Sequence, residues 1–305
     1  MAHERVGFLG PEGSFSHEAV LSMDDARAVA FASIEDLLAG VSESSVDLAL
    51  VPIENALEGT VSATIDGLVF AHDLIILEEL VLPIHLHLLV RPGVSLEEVR
   101  SVRSYVHALA QVRAFTHDRA LPTVQTASTS QAALEVAQSE EPWAAVGSAL
   151  AATLFGLEIV ASDIEDHPGN ATRFVLVGRD AVAAPTGHDR TTIVCFQDAD
   201  RPGSLYAILG RFAVRDINLT KLESRPTKRA LGDYCFVIEF EGHVADEVIA
   251  DCLVDLQAHL ATVKFLGSYP VTGEGAQNRR EEVGEARQSA RRWMDEIHAR
   301  VRPAT

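Results

Sequence analysis

The segment Asp47-Leu-Ala-Leu-Val-Pro-Ile53 is an almost unbroken apolar run, and Glu54-Asn55 follow it directly. A run of this length predicts a buried β-strand. From Gly59 onward the apolar residues recur every three to four positions, which indicates a helix. A strand followed by a helix is the unit of an α/β domain, and ligands of such domains bind at the carboxyl ends of strands. Glu54 and Asn55 occupy that position.

The same alternation extends in both directions from this segment. Apolar runs predict strands at residues 6–9, 74–78, 84–90, 144–146, 157–160 and 173–177. Periodic stretches with capping residues predict helices at residues 16–23, 107–115, 128–138 and 148–155. Short strands separated by helices predict an α/β first domain with largely parallel sheets.

A second, smaller domain is predicted after a linker at residues 181–190, which is small, polar and contains Pro and Gly. Strands are expected at residues 191–197, 217–223, 234–240 and 263–266, with helices at 204–214 and 244–260. This βαββαβ order is the ferredoxin-like split motif. Residues 271–305 are charged, and apolar residues recur at helical spacing from Val283 to Val301, so an amphipathic helical tail is expected.

Charge restricts the partners of the first domain. The chain carries a formal charge of −19, of which −17 falls in residues 1–186, where there are nine Arg and no Lys. Such a domain repels nucleic acid and anionic membrane, and an anionic ligand needs a specific Arg. The three cysteines lack metal-ligand spacing and no signal peptide or membrane-spanning stretch stands out, so reduced thiols in a cytoplasmic protein are expected.

Three polar groups in the first domain are candidates for anion binding. Glu54 and Asn55 end a strand, although a turn residue and a solvated acid would look the same. Gly169-Asn-Ala-Thr-Arg-Phe174 brings a scarce Arg to the start of a strand, where it either binds a carboxylate as a fork or forms a surface salt bridge. Ser128-Thr129 begins a helix and is either an anion site or an ordinary N-cap.

Thr172 and Arg173 are neighbours in a strand and would normally point to opposite faces, so they act together only at a strand end or bend. The loop Gly10-Pro-Glu-Gly-Ser-Phe-Ser16 lacks the spacing of nucleotide-binding loops. In the second domain, Pro202-Gly-Ser-Leu205 opens a helix whose N–H groups suit a carboxylate, unless the loop binds nothing. Taken alone, these patterns indicate an α/β anion-binding protein with a small appended module.

In combination the motifs are more specific. Residues 5–178 resemble bacterial prephenate dehydratases through Gly10–Ser16, Val51-Pro-Ile-Glu-Asn-Ala-Leu-Glu-Gly-Thr-Val61, Ser128-Thr129 with Ala132-Ala133, and Asn170-Ala-Thr-Arg-Phe174. The second domain resembles a phenylalanine-binding ACT domain through Gly203-Ser-Leu205, Ile217-Asn-Leu219 and Glu223-Ser-Arg-Pro226. The chain departs from the common pattern at Ala56, at residues 104–109 and at Ser204.

The resemblance implies a fold: a catalytic domain at residues 1–180 with two lobes like a type-2 periplasmic binding protein, and an ACT domain at 191–270. The lobes would take about residues 1–79 with 165–180, and 80–164. It implies decarboxylative dehydration of prephenate to phenylpyruvate without cofactor or metal. The rival functions are an arogenate dehydratase, and a non-catalytic bilobed solute-binding or regulatory protein.

The resemblance also implies roles for single residues. Thr172 would donate a hydrogen bond to the leaving hydroxyl and Arg173 would bind a carboxylate. Further substrate contacts would come from Glu54, Asn55, Ser104, Ser128, Thr129 and Phe174. L-Phenylalanine would bind as effector at Gly203, Ser204, Leu205, Asn218, Glu223, Ser224, Arg225 and Pro226. A homodimer or homotetramer, assembled partly through the ACT domains, is expected.

Overall fold

The computed structural model describes residues 4–179, 181–197, 201–228, 232–272 and 292–294. Its first unit contains residues 1–73 and 80–179, and its second contains 74–79 and 180–305. The elements up to residue 178 are, in chain order, β1 (Arg5–Leu9), α1 (Phe15–Leu21), β2 (Arg27–Phe31), α2 (Ile34–Ser42), β3 (Leu48–Asn55), β4 (Gly59–Thr60), α3 (Ser62–Asp66), a π-helical turn (Gly67–Ala71), β5 (Ile75–Pro83), β6 (His87–Val90), a 3-10 turn (Leu96–Glu98), β7 (Ser101–Ser104), α4 (Val106–Ala110), α5 (Arg113–Asp118), β8 (Thr123–Gln125), α6 (Thr129–Gln138), β9 (Trp143–Gly147), α7 (Ala149–Phe155), β10 (Glu158–Ala161) and β11 (Ala171–Gly178).

The first unit contains two mixed sheets. The first has the order β2-β1-β3-β11-β5, with β4 beside β3, and the second has the order β10-β6-β9-β7-β8. In the first sheet β1 is parallel to β2 and β3, whereas β11 is antiparallel to β3. The central strand β3 carries the apolar run, and Ala49, Leu50, Val51 and Ile53 are all buried beneath α1 and α2.

The chain passes from the first sheet to the second after β5 and returns between β10 and β11. The two connections lie side by side, because Ile164 N–H donates to Leu86 O at 2.9 Å and Ile84 N–H donates to Asn170 O at 2.8 Å. Each sheet has its own core, with Phe8 and Leu50 in the first and Leu88 and Val102 in the second. The predicted α/β fold with two lobes is confirmed.

Two expectations for this unit are wrong. The sheets are mixed rather than largely parallel, because β11 returns from the second sheet in the opposite direction to β3, and a buried apolar run carries no information on strand direction. The single helix expected at 107–115 is two helices, α4 and α5. The carbonyl of Gln111 accepts a hydrogen bond from Asp166 N–H at 2.6 Å, and Val112 leaves the helical conformation.

The second unit contains β12 (Asp189–Phe196), α8 (Ser204–Ala213), β13 (Leu219–Pro226), β14 (Tyr234–Glu241), α9 (Glu247–His259) and β15 (Thr262–Pro270). Its antiparallel sheet has the order β13-β14-β12-β15. Two helices on such a sheet form the predicted ferredoxin-like βαββαβ fold, with Ile193, Phe212 and Leu256 in the core. The helical stripe predicted at 283–301 lies outside the described residues, apart from 292–294.

The second unit also includes residues 74–79, that is Leu74 and the first five residues of β5. Gly267 (φ +143°) lies so close to this segment that an added Cβ would be 2.3 Å from Ile76 O. Glu79 is 2% exposed, and it accepts hydrogen bonds from the Arg190 guanidinium and from Thr272 N–H. One strand of the first sheet therefore begins as part of the second unit. In the described part of the chain, no helix is long and apolar enough to cross a membrane.

Candidate active site

The polar residues singled out in the first domain meet where β3 ends and β11 begins. In the antiparallel pairing of these strands, Thr172 lies opposite Asn55 and Arg173 lies opposite Glu54. The register then shifts, so that Phe174 lies opposite Pro52 and one residue of β3 is passed over. A bulge of this kind bends a strand and redirects its side chains. Thr172 and Arg173 thus stand at a strand start with a bulge directly after them.

The Asn55 side chain connects these groups. Its Oδ1 accepts hydrogen bonds from the backbone N–H groups of residues 57 and 58, both at 3.0 Å. This orients Nδ2 toward three acceptors: Asn170 Oδ1 at 3.0 Å, Ala171 O at 3.2 Å and Thr172 Oγ1 at 3.0 Å. A hydroxyl that accepts from an amide keeps its own proton for donation. Thr172 is therefore arranged as a hydrogen-bond donor, with its side chain almost wholly buried.

Gln111, which no sequence pattern indicated, belongs to the same network. Asn170 Nδ2 donates to Gln111 Oε1 at 2.9 Å. Gln111 lies just after α4, on the side of the second sheet, so this bond joins the two halves of the first unit. A second contact of this kind runs from His107 Nδ1 to Glu58 Oε2 at 2.8 Å. The buried Asn170 is held from both sides, and it in turn holds Asn55.

Arg173 is the cation of the site. Its Nη2 lies 2.9 Å from Glu54 Oε2, and its side chain is only 12% exposed. A charge-assisted bond at this distance fixes the plane of the guanidinium. In a part of the chain with a strong negative charge, this gives the site one oriented positive group, on the residue that follows Thr172 in β11.

Other predicted contacts have different surroundings. Ser128 is the N-cap of α6, and its Oγ accepts from Gln131 N–H at 3.0 Å; Thr129 is the first residue of that helix. Ser104 is fully buried in the second sheet, where its Oγ donates to Val146 O at 2.7 Å. Phe174 is 1% exposed and packs in the core of the first sheet. None of these four contributes to the hydrogen-bond network around Asn55 described above.

The loop at residues 10–16 is held by protein groups. Ser130 Oγ donates to Glu12 O, and Ser148 Oγ donates to Gly13 O at 3.1 Å. Gly13 N–H donates to His17 Nδ1 at 3.1 Å, and burial lowers the pKa of His17, which favours the neutral ring needed to accept that bond. These bonds tie the loop to the first turns of α6 and α7.

In the second unit, one of the predicted effector residues, Ser224, lines a cavity of about 180 Å³. Gly203, with φ +85°, is the N-cap of α8, and Ser204 Oγ donates to Gln197 Oε1 at 3.1 Å. Gln197, Ser224 and Tyr234 line the cavity. The Nε2 of Gln197 is buried and has no hydrogen-bond partner within the described ranges. Gln197 was not predicted, because a glutamine at a strand end carries no distinctive pattern.

The remaining effector candidates are distributed around α8 and β13. Leu205 lies in the first turn of α8, and Pro226 ends β13. Arg225 Nη1 lies 3.2 Å from Glu223 Oε1, so the two charged side chains of the motif pair with each other. Asn218 precedes β13, and its carbonyl accepts from Glu241 N–H at 3.0 Å.

Comparison with known proteins shows which family the chain resembles. The prephenate dehydratase family model matches residues 6–182. A prephenate dehydratase of Amycolatopsis methanolica is 41% identical over 272 residues, which cover 87% of this chain and 88% of the relative.

Solved structures agree with these sequence matches. A prephenate dehydratase from Arthrobacter aurescens in complex with L-Phe is 35% identical, with a TM-score of 0.82 over 97% of this chain and 99% of that one. A structure described as GqqA, a novel type of quorum-quenching acylase, is 30% identical, with a TM-score of 0.81 over 88% of this chain and 98% of that one. With the family model matched over the whole first domain and the curated relatives matched over most of the chain, this protein belongs to the prephenate dehydratase family.

Proposed function

We propose that the chain converts prephenate to phenylpyruvate at the group formed by Asn55, Asn170, Thr172 and Arg173. The observation that carries this assignment is the bond from Asn55 Nδ2 to Thr172 Oγ1. Because Thr172 Oγ1 is the acceptor in that bond, its own proton is left for donation to a bound substrate. Arg173, the next residue of β11, supplies a guanidinium for a carboxylate. A donor and a cation are what an anion with a departing hydroxyl requires.

The reaction needs little beyond these groups. The bond between the ring and its carboxylate breaks, its electron pair enters the ring, and the hydroxyl on the opposite carbon leaves. The products are CO₂, water and phenylpyruvate, and one proton is taken up by the departing oxygen. A threonine hydroxyl is too weak an acid to supply that proton outright, so it stabilises the charge that develops on the oxygen and water completes the transfer.

Arg173 is proposed to bind one substrate carboxylate. Glu54 holds the guanidinium before substrate arrives, and the Glu54 side chain is 39% exposed while that of Arg173 is 12% exposed. A planar fork bonds a carboxylate through two parallel N–H groups, which also orients the substrate. Glu54 is thus proposed as a positioning residue at the substrate site.

A substrate-choice assay tests the proposed function. Purified protein is incubated with prephenate, and phenylpyruvate is measured by its absorbance in alkali. Arogenate, with phenylalanine as the measured product, is run in parallel at equal concentration. Prephenate is expected to be turned over with a higher kcat/KM than arogenate. Faster turnover of arogenate would assign the rival dehydratase activity, and binding without turnover of either would indicate a solute-binding protein.

L-Phenylalanine is proposed as the effector of the second unit. Support comes from the Arthrobacter aurescens relative solved with L-Phe, and from the buried Gln197 amide that lines the cavity beside Ser224. Calorimetry on the full chain should show phenylalanine binding, and Arg225→Ala should weaken it while changing turnover without effector only a few-fold. No heat at millimolar phenylalanine would contradict the assignment.

A cytoplasmic homodimer or homotetramer is proposed as the working form. The edge strand β13 exposes Leu222, and an uncovered edge is commonly paired with a second copy. Sedimentation at micromolar concentration, on the full chain and on a chain ending at Val271, tests both the assembly and the contribution of the tail. A monomer in both cases would contradict the proposal.

A further inference from the structure

We propose that His85, Asp163 and Glu165 bind a divalent transition-metal ion such as Zn²⁺ where the chain crosses between the two sheets of the first unit. His85 Nδ1 lies 3.1 Å from Asp163 Oδ1 and 3.4 Å from Glu165 Oε1. All three ligand atoms lie within 4.8 Å of one another. A tetrahedral Zn²⁺ with bonds of about 2.0–2.1 Å places its ligand atoms about 3.3 Å apart. The separations of His85 Nδ1 from Asp163 Oδ1 and from Glu165 Oε1 are both close to that distance.

The ligands are held by contacts outside the group. The side chain of Glu165 is 7% exposed, and its Oε2 accepts from Leu86 N–H at 2.9 Å, which leaves Oε1 toward His85. The backbone N–H of Asp163 donates to His87 Nδ1 at 3.2 Å. Hydrogen bonds from neighbouring groups to the ligand residues orient these residues and raise the affinity for the metal. His85 and Asp163 are more than half exposed, so water has room to complete the coordination.

A third carboxyl group, that of Glu18, lies close enough to His85 to interact with it electrostatically. Glu18, on α1, has an Oε2 that is buried and without a hydrogen-bond partner among the described residues. Three carboxyl groups, those of Asp163, Glu165 and Glu18, thus lie near one imidazole. A divalent cation is the kind of ligand that compensates such a group of carboxylates.

The position of the group gives metal binding a structural consequence. His85 lies on the connection from β5 to β6, and Asp163 and Glu165 lie on the connection from β10 to β11. These are the two covalent links between the sheets, and the second continues to Asn170, five residues after Glu165. An ion held by both links would join them side by side, close in the chain to the proposed catalytic group. The donor set of one nitrogen and carboxylate oxygens suits Zn²⁺ or Co²⁺ rather than Ca²⁺.

The test uses the full chain, without an affinity tag and stripped with a chelator. Co²⁺ is titrated in while its visible absorption is recorded, and Zn²⁺ is titrated by calorimetry. One equivalent with a micromolar Kd is expected. His85→Ala and Asp163→Asn should each weaken binding at least tenfold; both side chains are largely exposed, so both variants should fold, which circular dichroism checks.

The control is His117→Ala, which removes an exposed histidine that also lies beside a carboxylate, Asp118, at 3.7 Å. It should bind the metal as the wild type does. Absence of binding by the wild type at 1 mM metal would overturn the proposal. Equal affinity in the wild type, His85→Ala and Asp163→Asn would overturn it too, because the ion would then sit elsewhere.

Discussion

Replacing Thr172 by Ala tests the central assignment of the site. The hydroxyl accepts from Asn55 and is almost wholly buried, so water cannot easily take its place as donor to the leaving oxygen. Loss of one preorganised donor to a developing oxyanion costs about 3–4 kcal/mol, which is about 10²–10³-fold in kcat. KM should change little, because the bond strengthens mainly in the transition state. Asn55 keeps two of its three acceptors, so the cost in folding stability should stay near 1 kcal/mol.

Steady-state turnover of prephenate, measured with phenylpyruvate in alkali, gives kcat and KM separately. Thr172→Ser keeps the hydroxyl and should recover much of the rate. Thr172→Val keeps the shape without the hydroxyl and should be as slow as Thr172→Ala. If Thr172→Ala folds and retains the wild-type kcat, or if Thr172→Val is as fast as Thr172→Ser, the hydroxyl is not the donor and the reasoning fails.

Three further substitutions and one reactivity measurement test other features of the chain. Asn55→Asp puts a carboxylate against three acceptors and should lower kcat about 10²-fold, measured in the same assay, with a loss of thermal stability. Arg173→Lys keeps the charge without the fork, so KM should rise more than kcat falls; an unchanged KM would argue against a carboxylate contact. Glu79→Gln leaves the Arg190 charge poorly compensated and should cost about 3 kcal/mol in urea denaturation. Burial raises the pKa of Cys195 to about 12, so it should not react with an aromatic disulfide reagent at pH 8 until the protein is denatured.

The parts of the fold that could be predicted are those with a strong repeating pattern. All six elements of the second unit were expected in the right order, because alternating strands and amphipathic helices leave a clear periodic signal. β2, β4, β7 and β8 of the first unit were missed, and Gly59–Thr60 form β4 where the helix was expected to begin. β8 is exposed along its whole length and β7 carries Arg103, so neither is an apolar run, and both are recognisable as strands only through their neighbours.

The residues of the candidate sites likewise separate into those with a recognisable sequence pattern and those without one. Asn55, Thr172 and Arg173 lie in chain motifs at strand ends, and the antiparallel pairing of β3 with β11 brings them together. Gln111 could not be found because it contributes only through Asn170, 59 residues away in the chain. Gln197 could not be found because a glutamine at a strand end has no distinctive pattern, although its partner Ser204 is only seven residues away. Such contacts are created by tertiary folding, and a single sequence contains no local trace of them.

The strand β5 shows why domain boundaries drawn along the chain do not describe how the two units are connected. A division near residue 180 follows the change in composition, yet residues 74–79 belong to the second unit while 80–83 of the same strand belong to the first. Glu79, the last residue of this segment, is anchored by Arg190 and by the backbone of Thr272. An effector alters turnover only by favouring one of two states that differ at the catalytic group. β5 is one continuous strand that begins in the second unit and borders β11, the strand that carries Thr172 and Arg173, so we expect such a preference to be transmitted along it.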